Sequence, residues 1–271
     1  MKQLIRQLLR QGGFELLHHS GDPVLAEMRS LHESLRLQPD PVLWDDSLPQ
    51  PAMQAHLRNL LQLHHIDLVL DVGANRGQFA RLVRRLGFQG RIVSFEPQSS
   101  LQGQLKAEAS RDPDWMILPC ALGATAGILG LQVFRNDTFS SLHPMNALGR
   151  QRFAGLVAEE KTETVEIRTL DNVWPGIAGG RPRRVLLKTD TQGHDLAVLQ
   201  GATEVLGCTH AVLTEAAVQP IYQDAPLYPE LAGWLAARGF APSGLYPISH
   251  RREDLALIEL DAFFTRSIPA A

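Results

Sequence analysis

The sequence predicts an α/β fold with a mostly parallel sheet, and three observations lead to this prediction. From Ile66 onward, short apolar runs bounded by turn residues alternate with stretches of helical apolar period, which is typical of βαβ units. The runs LVLDV and VLLKTD lack a two-residue alternation, as expected for strands that are covered on both faces. A glycine-containing turn, DVGANRG, connects the first run to the first helical stretch.

The elements of this domain follow in chain order. Parallel strands are predicted over residues 68–72, 91–95, 115–119, 185–189 and 211–214. The helices between them are predicted over residues 78–86, 99–109 and 196–206. The segments LGLQVF and ETVEIRTL alternate polar and apolar residues, which indicates half-exposed antiparallel strands around the loop NDTFSSLHPMNALG.

The first 65 residues differ in composition from the rest of the chain. Apolar periodicity predicts helices over residues 2–11, 23–37 and 52–64, and prolines 39, 41, 49 and 51 interrupt the helical pattern between the last two. We therefore predict a helical N-terminal extension with a proline-rich linker over residues 1–65, followed by the α/β domain over residues 66–271. The apolar stripe of the first helix predicts docking on the body of the protein or on a partner subunit, which makes this arm a candidate homodimer contact.

Composition excludes several classes of protein. Of the 271 residues, 44% are hydrophobic and 20% are charged, as in an ordinary globular chain. The net charge of −3 gives no bulk attraction to nucleic acid, and two cysteines cannot form a disulfide framework. The segment MKQLIRQLLRQ carries charged and amide side chains throughout, so we expect no signal peptide, and the sequence has no run of about 18 apolar residues. We expect a cytoplasmic protein without stable membrane insertion and without a nucleic-acid partner.

The glycine turn and the acid after the second strand predict a polar ligand. Gly73 and Gly77 allow close approach of the backbone, and the amino end of the next helix is expected to present unpaired N–H groups. Glu96 ends the second strand, where a carboxylate can accept hydrogen bonds from ribose hydroxyls. Asp71 suits a cationic or zwitterionic ligand such as the amino-acid moiety of S-adenosylmethionine. A dinucleotide dehydrogenase would carry glycine where this chain has Asn75.

A set of motifs extends this interpretation to most of the chain. They are, in order, VLDVGANRGQFA, IVSFEP, CALGATAG, SSL, VEIRTLDNV, LLKTDTQGHDLAVLQGA and TEAAVQPIY. In order and spacing they resemble the FkbM family of S-adenosylmethionine-dependent methyltransferases, over residues 66–266. The resemblance implies a class I methyltransferase fold, Rossmann-like, whose seven-stranded sheet has helices on both faces and one antiparallel strand at its edge, around residues 262–266.

The resemblance also implies a reaction and a set of cofactor contacts. The reaction is methyl transfer from S-adenosylmethionine, most often to a hydroxyl of a sugar, a glycan or a secondary metabolite. The acceptor is thus a small molecule or a glycan. The expected cofactor-binding residues are Asp71, Gly73, Asn75, Gly77, Glu96, Cys120, Ala121, Ser141 and Asp190.

Three polar residues are expected near the transferred methyl group. Asp190 and Glu215 end neighbouring strands, and His194 follows Asp190 in a polar turn, so they are predicted to converge as catalytic residues. His194 is the candidate general base because its ordinary pKa lies near neutrality. The family commonly has another residue type there, which leaves its role open. The same three residues are also a candidate set for a divalent cation such as Mg²⁺.

Two other functions stay open on sequence grounds. One is a nicotinamide-dependent oxidoreductase, which Asp71 and Asn75 disfavour. The other is a non-catalytic module that binds a cofactor or assembles through its N-terminal arm.

Overall fold

The structure is a computed structural model that describes residues 49–158, 161–180, 183–251 and 253–266. The helices predicted over residues 2–11 and 23–37, and with them the candidate homodimer contact, lie outside the described residues. The described residues belong to one compact unit.

Seven strands form the main sheet, in the order β3, β2, β1, β7, β8, β10, β9. Their bounds are β1 Leu68–Val72, β2 Arg91–Phe95, β3 Trp115–Leu118, β7 Val185–Thr189, β8 Thr209–Ala217, β9 Phe240–His250 and β10 Leu257–Arg266. The first five in spatial order are parallel, and β10 runs antiparallel to both of its neighbours. This is the predicted class I methyltransferase fold, with the five predicted parallel strands confirmed.

The position of the antiparallel strand differs from the prediction. β10 lies second from the end of the sheet, and β9 forms the edge. Burial explains this order, because β10 carries the fully buried Phe263 and Phe264 whereas most residues of β9 are half-buried or exposed. The more apolar strand of the pair therefore takes the inner position, and the more polar one tolerates the exposed edge.

Seven α-helices lie within the described residues. They are α1 Pro49–Leu63, α2 Gln78–Arg85, α3 Ser99–Ala109, α4 Ala147–Arg152, α5 Leu170–Ala178, α6 Asp195–Gln200 and α7 Tyr228–Ala236. The helix predicted over residues 196–206 is shorter than expected. It ends at Gln200, before Gly201, where a Cβ would lie 2.0 Å from the carbonyl oxygen of Gly123, and a 3₁₀ turn over Val205–Cys208 follows.

The segment between β3 and β7 forms a second sheet of three strands. Its order is β4 (Ala121–Leu122), β6 (Lys161–Arg168), β5 (Gly127–Val133), and β5 and β6 are antiparallel as predicted. Leu131, Val133, Val165 and Ile167 form its buried face.

Helix α1 belongs to the same compact unit as the sheet, although it precedes the predicted domain boundary. The Nδ1 atom of His56 lies 2.9 Å from the hydroxyl oxygen of Tyr246 on β9, and its ring stands 4.8 Å from that of Phe263 on β10. The division at residue 65 stays a prediction. No helix among the described residues has the length and apolar character needed to cross a membrane.

Gly73, in the loop after β1, lies directly against the backbone of Asp190, the residue that follows β7. Its φ is +75°, and a Cβ there would lie 1.9 Å from the carbonyl oxygen of Asp190. Replacing Gly73 with Ala should therefore lower the free energy of unfolding by about 3 kcal/mol, through left-handed strain and overpacking. Denaturant unfolding measures this loss.

Gly103 is the matched control. It lies within α3, and a Cβ there would meet no atom within 4 Å. Gly103→Ala should raise the free energy of unfolding by about 0.5–1 kcal/mol, because alanine favours a helix. Equal effects of the two substitutions would contradict the close approach at Gly73.

Candidate functional site

A cavity of about 450 Å³ opens at the carboxyl ends of the parallel strands, within the size range of small-molecule sites. The loop after β1, the end of β2, the segment after β3 and the ends of β7, β8 and β10 all contribute to its wall. Residues at the amino end of α1 line it as well. Open α/β sheets bind ligands at this edge, so the cavity is the candidate site.

The glycine loop is held by contacts within the protein. The N–H groups of Gly73 and Ala74 both donate to the carbonyl oxygen of Phe95, and the N–H of Gly77 donates to that of Ala74. Gly77 has φ +78°, and a Cβ there would lie 2.6 Å from the ring of Trp115. These three donors precede helix α2, so the unpaired N–H groups expected at the amino end of that helix stay a prediction. The loop offers a fixed shape to a ligand.

Asp71 lies beneath this loop and does not line the cavity. Its carboxylate is fully buried, 3.1 Å from the Nζ atom of Lys188, and it accepts a hydrogen bond of 3.0 Å from the hydroxyl of Ser94. Lys188 occupies the place where the sequence suggested a ligand's ammonium group. The Lys188 side chain does line the cavity and also donates to the carbonyl oxygen of Gly73 at 2.9 Å.

Glu96 stands on the cavity wall directly after β2, as the sequence predicts. Its two carboxylate oxygens accept hydrogen bonds of 2.8 Å from the backbone N–H groups of Asn75 and Gln98. These two bonds fix the orientation of the carboxylate. Each of its oxygens keeps a second lone pair that can accept a hydrogen bond from a ligand. Burial raises the pKa of Glu96 to about 7 against the lowering effect of the two N–H groups.

The segment after β3 contributes Cys120 and Ala121 to the wall, as predicted. Burial raises the pKa of the Cys120 thiol to about 11, so it stays protonated at neutral pH. Ser141 lies behind the wall, where its hydroxyl donates to the carbonyl oxygen of Gln192 at 2.6 Å. Its neighbour Ser140 lines the cavity, and its buried hydroxyl has no partner among the described residues.

The structure does not bring His194 to the cavity. Its Nδ1 lies 3.1 Å from Nε2 of His143, and Nδ1 of His143 lies 3.0 Å from the carbonyl oxygen of Gln223. A carbonyl only accepts, so His143 donates to Gln223 and accepts from His194. The imidazole of His194 is thereby fixed in its Nδ1–H form and faces Gly123. Burial, and next the neighbouring His143, lower the pKa of His194 to about 4.

Asp190 and Glu215 do meet at the cavity wall. The Nε2 group of Gln192 donates to both carboxylates, at 3.0 Å to Asp190 and 2.8 Å to Glu215. Burial and the neighbouring carboxylates, first that of Asp190, raise the pKa of Glu215 well above its ordinary value. The candidate cation set does not fit this arrangement, because an amide donor fills the space between the two carboxylates and His194 lies elsewhere. Within the described residues, no His, Cys, Asp or Glu group of three or more is placed to hold a metal ion.

Several wall residues were missed by sequence reasoning. Asp137, in the loop after β5, accepts a hydrogen bond of 3.1 Å from the Asn75 side chain and forms an ion pair with Arg76. It thus ties the loop between the two sheets to the glycine loop. Gln54 of α1 and Asp261 of β10 also line the cavity. Their elements lie far from the glycine loop in sequence, and no motif pointed to them.

The chain has similar sequences and structures among known proteins. Residues 71–242 match the profile of the methyltransferase FkbM domain. The chain is 27% identical over 235 residues to methyltransferase sdnD of Sordaria araneosa, covering 73% of this chain and 86% of that one. It is 24% identical over 153 residues to the hexuronic acid methyltransferase AglP of Haloferax volcanii, and spans about half of that relative, 55% of each chain. Magnesium protoporphyrin IX methyltransferase from Synechocystis, solved with bound S-adenosylmethionine, has a TM-score of 0.44 and 11% identity, covering 98% of this chain and 97% of that one.

Asp261 offers a test of the buried carboxylates at the site. Burial, and next the charge of Asp190, raise the pKa of Asp261 to about 7, so the folded protein retains a proton that the unfolded chain loses near pH 4. Stability that depends on this proton is lost as pH rises through 7. The free energy of unfolding of Asp261→Asn minus that of wild type should therefore increase from pH 5 to pH 7, by up to about 1.4 kcal/mol per pH unit.

The difference between the two proteins should level off above about pH 8, where the carboxyl is ionised in both states. Urea unfolding at several pH values measures it, and histidine titrations cancel in the difference. Glu253→Gln removes an exposed carboxylate and is the control, for which we expect no trend with pH. A difference for Asp261→Asn that is constant from pH 5 to pH 8 would show that its carboxylate ionises normally.

Proposed function

Because the chain belongs to the FkbM methyltransferase family, we propose that it transfers a methyl group from S-adenosylmethionine to a hydroxyl of a sugar, a glycan or a secondary metabolite. The observation that carries the cofactor assignment is Glu96, whose buried carboxylate is fixed by two backbone N–H groups on the wall of the cavity. A fixed carboxylate after the second strand suits the two hydroxyls of a ribose. A sugar as acceptor is in keeping with the relative named for hexuronic acid.

The proposed site divides the cavity between cofactor and acceptor. The ribose binds at Glu96, and the adenine lies against Cys120 and Ala121 after β3. The methionine end lies over the glycine loop, close to Gly73. This order brings the sulfonium toward the carboxyl end of β7, where Asp190 lines the cavity.

In this proposal Asp190 accepts the proton of the acceptor hydroxyl. Transfer is an in-line displacement, in which the acceptor oxygen bonds to the methyl carbon as the bond from carbon to sulfur breaks, leaving S-adenosylhomocysteine. The proton of the hydroxyl passes to the Asp190 carboxylate. Two neighbours hold that carboxylate, namely the amide of Gln192 at 3.0 Å and the ammonium of Lys188 at 3.6 Å. His194 has no part in this step, because it does not line the cavity.

Cofactor binding is tested with S-adenosylhomocysteine by titration calorimetry. Wild type should bind, and more tightly at pH 8 than at pH 6, because the ionised Glu96 accepts the ribose hydrogen bonds and its pKa is about 7. Glu96→Gln should weaken binding by about 1–3 kcal/mol, since its amide places a donor against backbone donors. Glu163→Gln is the control, because Glu163 accepts from the N–H of Ser99 but does not line the cavity. The proposal would be contradicted if wild type does not bind S-adenosylhomocysteine, or if it binds NAD instead.

The role of Asp190 is tested by transfer of labelled methyl from S-adenosylmethionine to an acceptor that wild type methylates. Asp190→Asn should lower kcat by about 10²- to 10⁴-fold, the usual contribution of a positioned base. Its affinity for S-adenosylhomocysteine should stay within about twofold of wild type, and Glu163→Gln should retain full kcat. If affinity for S-adenosylhomocysteine instead falls as far as kcat does, Asp190 binds the cofactor and is not the base.

A further inference from the structure

The wall of the cavity also includes Met53 and Gln54 of α1, Glu215 of β8 and Asp261 of β10, a set that we name the α1 end. Helix α1 packs against β10, which carries Asp261, since His56 contacts Phe263 on β10 and also Tyr246 on β9, the pairing partner of Asp261. Helix α1 and Asp261 both lie outside residues 71–242, which match the family. The α1 end is therefore built largely by parts of the chain that the family match does not cover.

Gln54 places an unpartnered amide in this end of the cavity. Only 8% of the residue is exposed, and its side chain forms no hydrogen bond with any described residue. Buried amides are nearly always hydrogen-bonded in folded proteins. Because Gln54 is also part of the wall, a bound molecule can supply its partner. The amide can donate to a hydroxyl oxygen and accept from a hydroxyl or an amino group.

Glu215 and Asp261 bring two carboxyl groups to the same end, and burial together with neighbouring carboxylates raises the pKa of both, that of Asp261 to about 7. They lie directly opposite each other on β8 and β10, where the Cβ atoms of such pairs are about 4.5–5.5 Å apart. Asp261 has no hydrogen bond or ion pair with a described residue, and Glu215 receives only the uncharged amide of Gln192. No cation among the described residues is therefore paired with either carboxylate.

The basic residues of the described wall do not neutralise this pair. Lys188 is engaged by Asp71 at 3.1 Å and by Asp190 at 3.6 Å. Arg85, at the carboxyl end of α2, lines the same cavity but forms no ion pair with Glu215 or Asp261. Asp190 adds a further carboxylate beside Glu215. The two carboxyl groups thus lack a counter-ion, and a bound ammonium group would favour their ionised forms, whereas an anion would oppose them.

We propose that the α1 end binds an ammonium group of the acceptor through Glu215 and Asp261, and a neighbouring hydroxyl through Gln54. The acceptor is then an amino sugar or a similar amino alcohol, and sugar acids are rejected. This inference rests on the proposed function, since it names the acceptor class of the same site. It distinguishes this chain from its relative named for hexuronic acid.

Three sugars with the same ring and different charge test the proposal, namely glucosamine, glucose and glucuronic acid. Each is titrated at neutral pH into the full-length protein, with and without saturating S-adenosylhomocysteine, and binding is followed by ligand-observed NMR. Wild type should bind glucosamine most tightly and glucuronic acid most weakly, with at least about a tenfold difference in affinity between them. Equal affinities, the reverse order, or no binding of glucosamine would overturn the proposal.

Variants separate charge from hydrogen bonding. Asp261→Asn should reduce the preference for glucosamine over glucuronic acid to less than about threefold, whereas Glu253→Gln, an exposed charge control, should retain it. Gln54→Leu should weaken all three sugars alike and leave the preference unchanged. Near-ultraviolet circular dichroism checks that each variant is folded.

The remaining alternative is that these carboxylates bind the ammonium group of the cofactor. Asp261→Asn would then lose affinity for S-adenosylhomocysteine and keep the wild-type order of the sugars, which would overturn the proposal. The proposal expects S-adenosylhomocysteine affinity within about twofold of wild type for this variant. Failure of wild type to bind S-adenosylhomocysteine would refute the cofactor assignment. The sugar titrations in the absence of S-adenosylhomocysteine would still measure the charge preference of the cavity.

Discussion

The buried ion pair of Lys188 with Asp71 supports the whole site. Lys188 on β7 contacts the carboxylate of Asp71 on β1 and the carbonyl oxygen of Gly73. Asp71 accepts from the hydroxyl of Ser94 on β2, which in turn accepts from the indole N–H of Trp115 on β3. Burial opposes the charge of Lys188, but the carboxylates of Asp71 and Asp190 outweigh this effect and raise its pKa. One polar chain thus connects four neighbouring strands below the ligand cavity, and its members compensate one another's desolvation.

This chain of contacts explains why the glycine loop is a fixed surface. Lys188 holds the loop from below, the carbonyl oxygen of Phe95 takes two of its N–H groups, and Glu96 takes that of Asn75. Asp137, in the loop that follows β5 of the smaller sheet, contacts the side chains of Asn75 and Arg76 in the glycine loop. The shape of the loop is therefore set before any ligand binds, and pre-organisation of this kind reduces the entropic cost of binding.

The two ends of the cavity have different origins in the chain. The contacts proposed for the cofactor lie within the segment that matches the family, at the ends of β1, β2 and β3. The other end depends on Gln54, which precedes that segment, and on Asp261, which follows it. An arrangement of this kind lets the acceptor change while the methyl donor stays the same, because the elements that line the α1 end do not form the glycine loop.

Local sequence patterns were enough to locate the parallel strands, the smaller antiparallel pair, and Glu96 at the end of β2. These features depend on local apolar periodicity and on a carboxylate that directly follows its strand. Packing between distant segments places β10 inside the edge of the sheet, pairs Asp71 with Lys188 and leaves His194 outside the cavity wall. The turn after β7 has positive φ at Gln192 (54°) and Gly193 (94°), and no sequence period shows where such a turn directs its side chains. Gln54 and Asp261 reach the cavity through the packing of α1 and the pairing of β10, which are contacts between residues far apart in the chain.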